Sequence, residues 1–69
     1  MTFSTMLNRL KGIPCRIAFR KCWDHDKWVF IGMGPNDRQV LYLHDGIYSD
    51  PYSVQQSDLF MSDWEVEDG

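Results

Sequence analysis

No run of about 18 consecutive apolar residues occurs in this 69-residue chain, so no membrane-spanning helix is expected. The opening stretch MTFSTMLNRLKGIPC lacks the apolar core and small-residue cleavage site of a secretion signal, and the expected location is the cytoplasm. Cysteine is scarce: there are only Cys15 and Cys22, and without a secretion signal reduced thiols are expected rather than a disulfide. Cations are outnumbered, seven Lys and Arg against ten Asp and Glu, which gives a formal charge of −3. Binding to duplex nucleic acid, which relies on a surplus of cations to displace counterions, is therefore disfavoured. Repeats, low-complexity runs and linker-like stretches are absent, so residues 1–69 read as a single domain. A chain this short buries only about 60% of the surface it exposes when unfolded, enough for one small core.

What is present favours folding. Hydrophobic residues make up 43% of the chain, aromatic residues 14% and charged residues 25%, a globular composition. Phe3, Met6, Leu7 and Leu10 fall on one face of a helix, with Thr2 placed to cap it, Gly12 to end it and Pro14 to prevent continuation. The alternation in CRIAFR predicts a strand from Cys15 to Arg20, with Cys15, Ile17 and Phe19 on one face and a polar face carrying Arg16, Ala18 and Arg20. KCWDHDK reads as a loop, WVFIGM as a strand, and Gly34-Pro35-Asn36-Asp37 as a turn.

RQVLYLH reads as the next strand. Asp45-Gly46 after it has the signature of a two-residue hairpin in which Gly supplies positive φ. Any strand between Ser49 and Gln56 must be short or irregular. Ser57 is placed to cap one helical turn through Met61, and DWEVE closes the sheet as an edge strand with Trp64 and Val66 inward and acidic side chains outward. The expected architecture is α+β: one N-terminal helix on a small, strongly bent antiparallel sheet, with a short helical turn before the last strand.

The stretch QSDLFMSDWEV, Gln56 to Val66, resembles the C-terminal signature of the Thoeris anti-defence 2 family of small phage and bacterial proteins. Gln56, Asp58, Leu59, Asp63, Trp64, Glu65 and Val66 match that signature. Gln55 stands where a serine is usual, and Phe60 and Met61 replace a Leu-Ala pair. The N-terminal half is similar too: a Phe-led helix, a strand with basic residues and an Arg-x-x-Trp turn, here Arg20-Lys21-Cys22-Trp23, with Cys22 in place of Gly. The likeness covers nearly the whole chain, with the middle shorter than in most members. It implies a phage-encoded sponge that binds cyclic ADP-ribose isomers or cyclic oligonucleotides made by bacterial immune systems and holds them uncleaved. It further implies a homo-oligomer, dimer or tetramer, with pockets between subunits in the host cytoplasm. Size points the same way, since 69 residues leave little room for an enclosed pocket within one protomer.

A ligand of that kind needs a flat apolar surface for adenine, donors for pyrophosphate and acceptors for hydroxyls. Trp23, in a polar loop beside Asp24 and His25, is the candidate stacking surface, and a lid over the core is the alternative reading. Trp64 reads as core. Arg16 and Arg20 could present guanidinium forks to a phosphate or form a solvated strand face; the Arg-x-x-Trp match favours Arg20. Gln56 and Ser57 stand at a helix start that can hold a sugar or anion, while Asp63 could accept from a ribose hydroxyl or hold Arg20 in place. The expected ligand-binding set is Arg20, Trp23, Gln56, Ser57 and Asp63.

Enzymatic activity, a resident cofactor and a metal are not expected. Cys15, Cys22, His25 and His44 lack the spacing of zinc knuckles, and Cys22 with His25 has no nucleophile-elbow motif beside it. GMGPND falls short of a phosphate loop. The rival functional class is a small inhibitor that docks directly on a host protein through an acidic, aromatic surface.

Overall fold

The computed structural model describes residues 1–13 and 15–68. Helix α1, Phe3–Gly12, starts where the Thr2 hydroxyl accepts from the Thr5 amide at 3.3 Å, and it buries Met6 and Leu10, one turn apart. It runs to Gly12 as expected; Pro14 lies outside the described residues. Five strands follow: β1 Arg16–Arg20, β2 Trp28–Met33, β3 Gln39–His44, β4 Ser49–Pro51 and β5 Trp64–Asp68. A 3-10 turn, Pro35–Asp37, joins β2 to β3, and a second helix, α2 Gln56–Phe60, precedes β5. The sheet is open and antiparallel with strand order β4-β3-β2-β1-β5, so the last strand lies beside the first at one edge. The fold is α+β: an N-terminal helix against a five-strand antiparallel sheet, with a short helix before the last strand.

The helix covers one face of the sheet. Met6 and Leu10 pack there against Ala18, Val29 and Trp64, with Ile31, Leu41, Leu43 and Val66 around them. This reverses the expectation for β1, whose core face is the one carrying Arg16, Ala18 and Arg20. Ala18 is small enough to let α1 approach and is completely buried. The two arginines flanking it reach past the core to carboxylates: Arg16 Nε lies 3.0 Å from Asp68, and Arg20 is held by Asp58 and Asp63. Ile17 and Phe19 lie on the opposite face, which no helix among the described residues covers. Cys15, expected within the strand, precedes it in a positive-φ conformation (69°), and both thiols are free and exposed.

Two turns also differ from expectation. The ladder between β3 and β4 stops at His44–Ser49, leaving Asp45 to Tyr48 as the connection rather than Asp45-Gly46 alone. Asp45 uses its side chain to accept from the amides of Ile47 (3.1 Å) and Tyr48 (2.9 Å), which moves the tip one residue on; Gly46 still supplies the positive φ, 101°. In α2 the capping position falls on Gln55, so Ser57 lies inside the helix instead of capping it. No helix among the described residues is long and apolar enough to cross a membrane.

Candidate functional site

The loop between β1 and β2 is folded back by backbone bonds from Trp23 N to Arg20 O and from Lys27 N to Asp24 O, both 3.0 Å. This turns the Trp23 ring toward the end of the sheet where β5 begins. It stands edge-on to Trp64, with centroids 5.2 Å apart, and edge-on to Tyr52 at 6.3 Å. The Lys27 ammonium sits 4.6 Å from its ring centre, within cation–π range. Trp23 thus lies against the core, as a lid would, and at the same time forms a wall of two clefts.

The first cleft, of about 400 Å3, opens on the uncovered face of the sheet, with Phe19, Trp23 and Trp28 as its rings and Lys21, Lys27 and Glu65 among its charged groups. The second, about 510 Å3 and more open, lies between Trp23 and the start of α2; Lys27, Tyr52, Gln55, Ser57 and Asp58 line it. Both volumes fall within the range of small-molecule sites. Of the five residues expected to bind ligand, Trp23 and Ser57 share this second cleft, while Gln56 is exposed in neither. Gln55, one residue earlier, lines it instead.

Arg20 and Asp63 are brought together, but away from both cleft walls. Arg20 Nε and Nη2 donate to the two oxygens of Asp63 at 2.9 and 3.4 Å, and Nη1 donates to Asp58 at 2.8 Å. The fork is fully engaged by carboxylates and frames the site from behind. Hydrogen bonds to Asp63 and then Asp58 push the Arg20 pKa further up, so its charge is permanent. The other Asp58 oxygen accepts from the Tyr52 hydroxyl, and the Asp58 carbonyl accepts from Trp64 Nε1 at 2.9 Å. Burial first and Asp58 second push the Tyr52 phenol well above its ordinary range, which keeps it a donor.

Asp58 is therefore the residue that ties β1, α2 and β5 together beneath the Trp23 ring. In the sequence it stands only in a helix start and in the matched C-terminal signature; a carboxylate two positions before a helix end carries no mark of burial. Lys27 and Tyr52 were likewise unmarked as site residues: the fold of the Trp23 loop itself brings Lys27 over the ring, and the approach of a segment distant in sequence brings Tyr52. Among the described residues no group of three or more His, Cys, Asp or Glu side chains is arranged to hold a metal ion.

The carboxylates give stability a pH dependence. The hydrogen bond from Arg20 holds Asp63 below its ordinary pKa, and the amides of Tyr48 and Ile47 do the same for Asp45. A carboxyl with a lower pKa folded than unfolded adds stability that is complete above the ordinary Asp range and is lost as pH falls through the folded value. The urea midpoint is expected to fall as pH drops from about 5 to about 3, with a shallower fall in Asp63→Asn. A midpoint constant over that range would contradict this.

Compared with protein-family models, with curated proteins and with solved structures, the chain gives no match.

Proposed function

We propose that this chain is a non-catalytic nucleotide-binding protein, a phage anti-defence sponge that sequesters cyclic ADP-ribose-type or cyclic oligonucleotide immune signals in the host bacterial cytoplasm. The observation that carries the reading is the position of Trp23, a ring standing between two ligand-sized clefts with a cation, Lys27, at its face. An indole gives a base its stacking surface, worth roughly 1–3 kcal/mol per base. Lys27 and Lys21 supply donors for phosphate, and Ser57, Gln55 and Glu65 supply partners for hydroxyls and base edges. Arg20 and Asp63 serve this site by position, fixing the loop and α2 on either side of the ring.

Both clefts are open on one side, which suits a ligand enclosed at a boundary between copies, so a homo-oligomer, dimer or tetramer, belongs to the proposal. The resemblance of Gln56 to Val66 to the Thoeris anti-defence 2 signature supports the same class of ligand. Incubation with cyclic ADP-ribose followed by heat denaturation tests the sponge directly. The nucleotide should be retained by the folded protein and recovered intact; recovery of a cleaved product would replace sequestration with catalysis. A failure to retain any nucleotide, together with stoichiometric capture of a host protein, would favour the docking inhibitor.

A further inference from the structure

Lys27 differs from the other cations near the site. Arg16 is paired with Asp68, Arg20 with Asp58 and Asp63, and Lys21 with Glu65, whereas no carboxylate among the described residues pairs with the Lys27 ammonium. Its partner is the indole of Trp23, with Nζ 4.6 Å from the ring centre. Asp24, His25 and Asp26 before it are exposed while Lys27 is partly buried, so its stem is laid inward along the cleft wall. The backbone at its root is fixed. Lys27 N donates to Asp24 O at 3.0 Å, and Asp26 is backed by Gly46 of the β3–β4 turn, where a Cβ would meet the Asp26 Cβ at 3.1 Å. β2 begins at the next residue, Trp28, so what remains free to swing is the four-carbon arm. Trp23 and Lys27 are also the two residues that line both clefts.

One face of an indole cannot hold an ammonium and a base at once. We propose that Lys27 occupies the stacking face of Trp23 until a phosphate-bearing nucleotide exchanges with it: the base takes the ring, and the displaced ammonium swings to the phosphate. This rests on the nucleotide reading above and adds to it a selection for nucleotides over nucleosides. A neutral nucleoside that stacks on Trp23 gives up the cation–π contact, about two- to fivefold in affinity at such a site, and returns nothing to the ammonium. A nucleotide replaces that contact with a charge-assisted hydrogen bond, the stronger of the two.

The second cleft is the side that receives the phosphate. Lys27 is its one cation among the described residues, and its carboxylate, Asp58, is already engaged by Arg20 and Tyr52. Ser53 and Ser57 add hydroxyl donors there. The first cleft instead has Glu65 and Glu67 in its wall, and these repel a phosphate.

Calorimetric titration with adenosine and ADP, which share a base and differ in the pyrophosphate, tests the exchange, with cyclic ADP-ribose titrated beside them. In Lys27→Ala adenosine should bind about two- to fivefold more tightly than in the wild type, and ADP at least about threefold more weakly. The preference for ADP over adenosine should thus fall roughly sixfold or more. Lys27→Gln, which keeps most of the stem and its packing, should move both affinities in the same directions. Lys27→Arg, whose guanidinium both stacks on an indole and pairs with phosphate, should keep the preference within about twofold. Lys11→Ala removes an equal charge at the end of α1, away from both clefts, and should leave the preference unchanged. Adenosine that binds no more tightly without the Lys27 ammonium, or ADP that binds no more weakly, overturns the exchange and leaves nucleotide binding in place. A folded wild type that binds none of the three ligands contradicts the nucleotide reading itself, and the exchange with it.

Discussion

Asp58→Ala is expected to cost about 3–5 kcal/mol, the range for breaking one side of a buried ion pair. Asp58 is buried, its side chain only 9% exposed, and its carboxylate accepts from both Arg20 and Tyr52. Its removal leaves the Tyr52 hydroxyl without a partner and Arg20 with Asp63 alone. A domain of this size sits near the low end of the usual stability range of roughly 5–15 kcal/mol, so the variant should be substantially unfolded at room temperature. Asp58→Asn keeps the shape and one acceptor and should lose distinctly less. Urea unfolding followed by tryptophan fluorescence reads both, because Trp23 and Trp64 lie directly against this network. A loss below about 1 kcal/mol for Asp58→Ala would place the network among surface ion pairs of little consequence.

Trp23→Ala should weaken nucleotide binding by roughly five- to 150-fold, the equivalent of about 1–3 kcal/mol of stacking. Its cost in stability should be smaller than the about 3–5 kcal/mol of a fully buried aromatic, since the ring is only partly buried and its contacts to Trp64 and Tyr52 are edge-on. Trp23→Phe separates the two roles: a smaller ring still covers Trp64 and still stacks, so it should retain most of both. Calorimetric titration beside thermal unfolding measures the pair of effects. A folded Trp23→Ala protein with wild-type affinity would remove the indole from the site.

Much of the fold could be read from the chain, for local reasons. The spacing of Phe3, Met6 and Leu10 and the Thr2 cap fix α1, and short β-branched or aromatic runs bounded by turn formers fix β2 and β3. Alternation in β1 gave the correct period but the wrong core face. Period alone does not say which face a helix will cover, and Ile17 and Phe19 look more like core than Ala18 does. The decisive fact is the neighbour: β5, from the far end of the chain, carries Trp64 and Val66 to the Ala18 face and Glu65 and Glu67 to the Phe19 face.

The site was legible in part for the same reason. Trp23 stood out because an indole in a polar loop needs a purpose, and the pairing of Arg20 with Asp63 was one of two roles open to that carboxylate. The inclusion of Asp58 and Tyr52 depends on their long-range contacts to Arg20 and Trp23, which no local pattern encodes, while Lys27 comes from the Trp23 loop itself. Ser57 reads as a cap because it is a good capping residue; the helix starts one residue before it, after Gln55, which makes no side-chain capping bond. That leaves the Ser57 side chain facing the second cleft.

The most direct test of the sponge is calorimetric titration of the purified protein with cyclic ADP-ribose isomers and cyclic di- and trinucleotides. The expected result is submicromolar binding of at least one of them, saturating at a fixed ratio to protomers and weakened in Trp23→Ala. Absence of binding heat with every member of the panel, from protein shown to be folded, would contradict it.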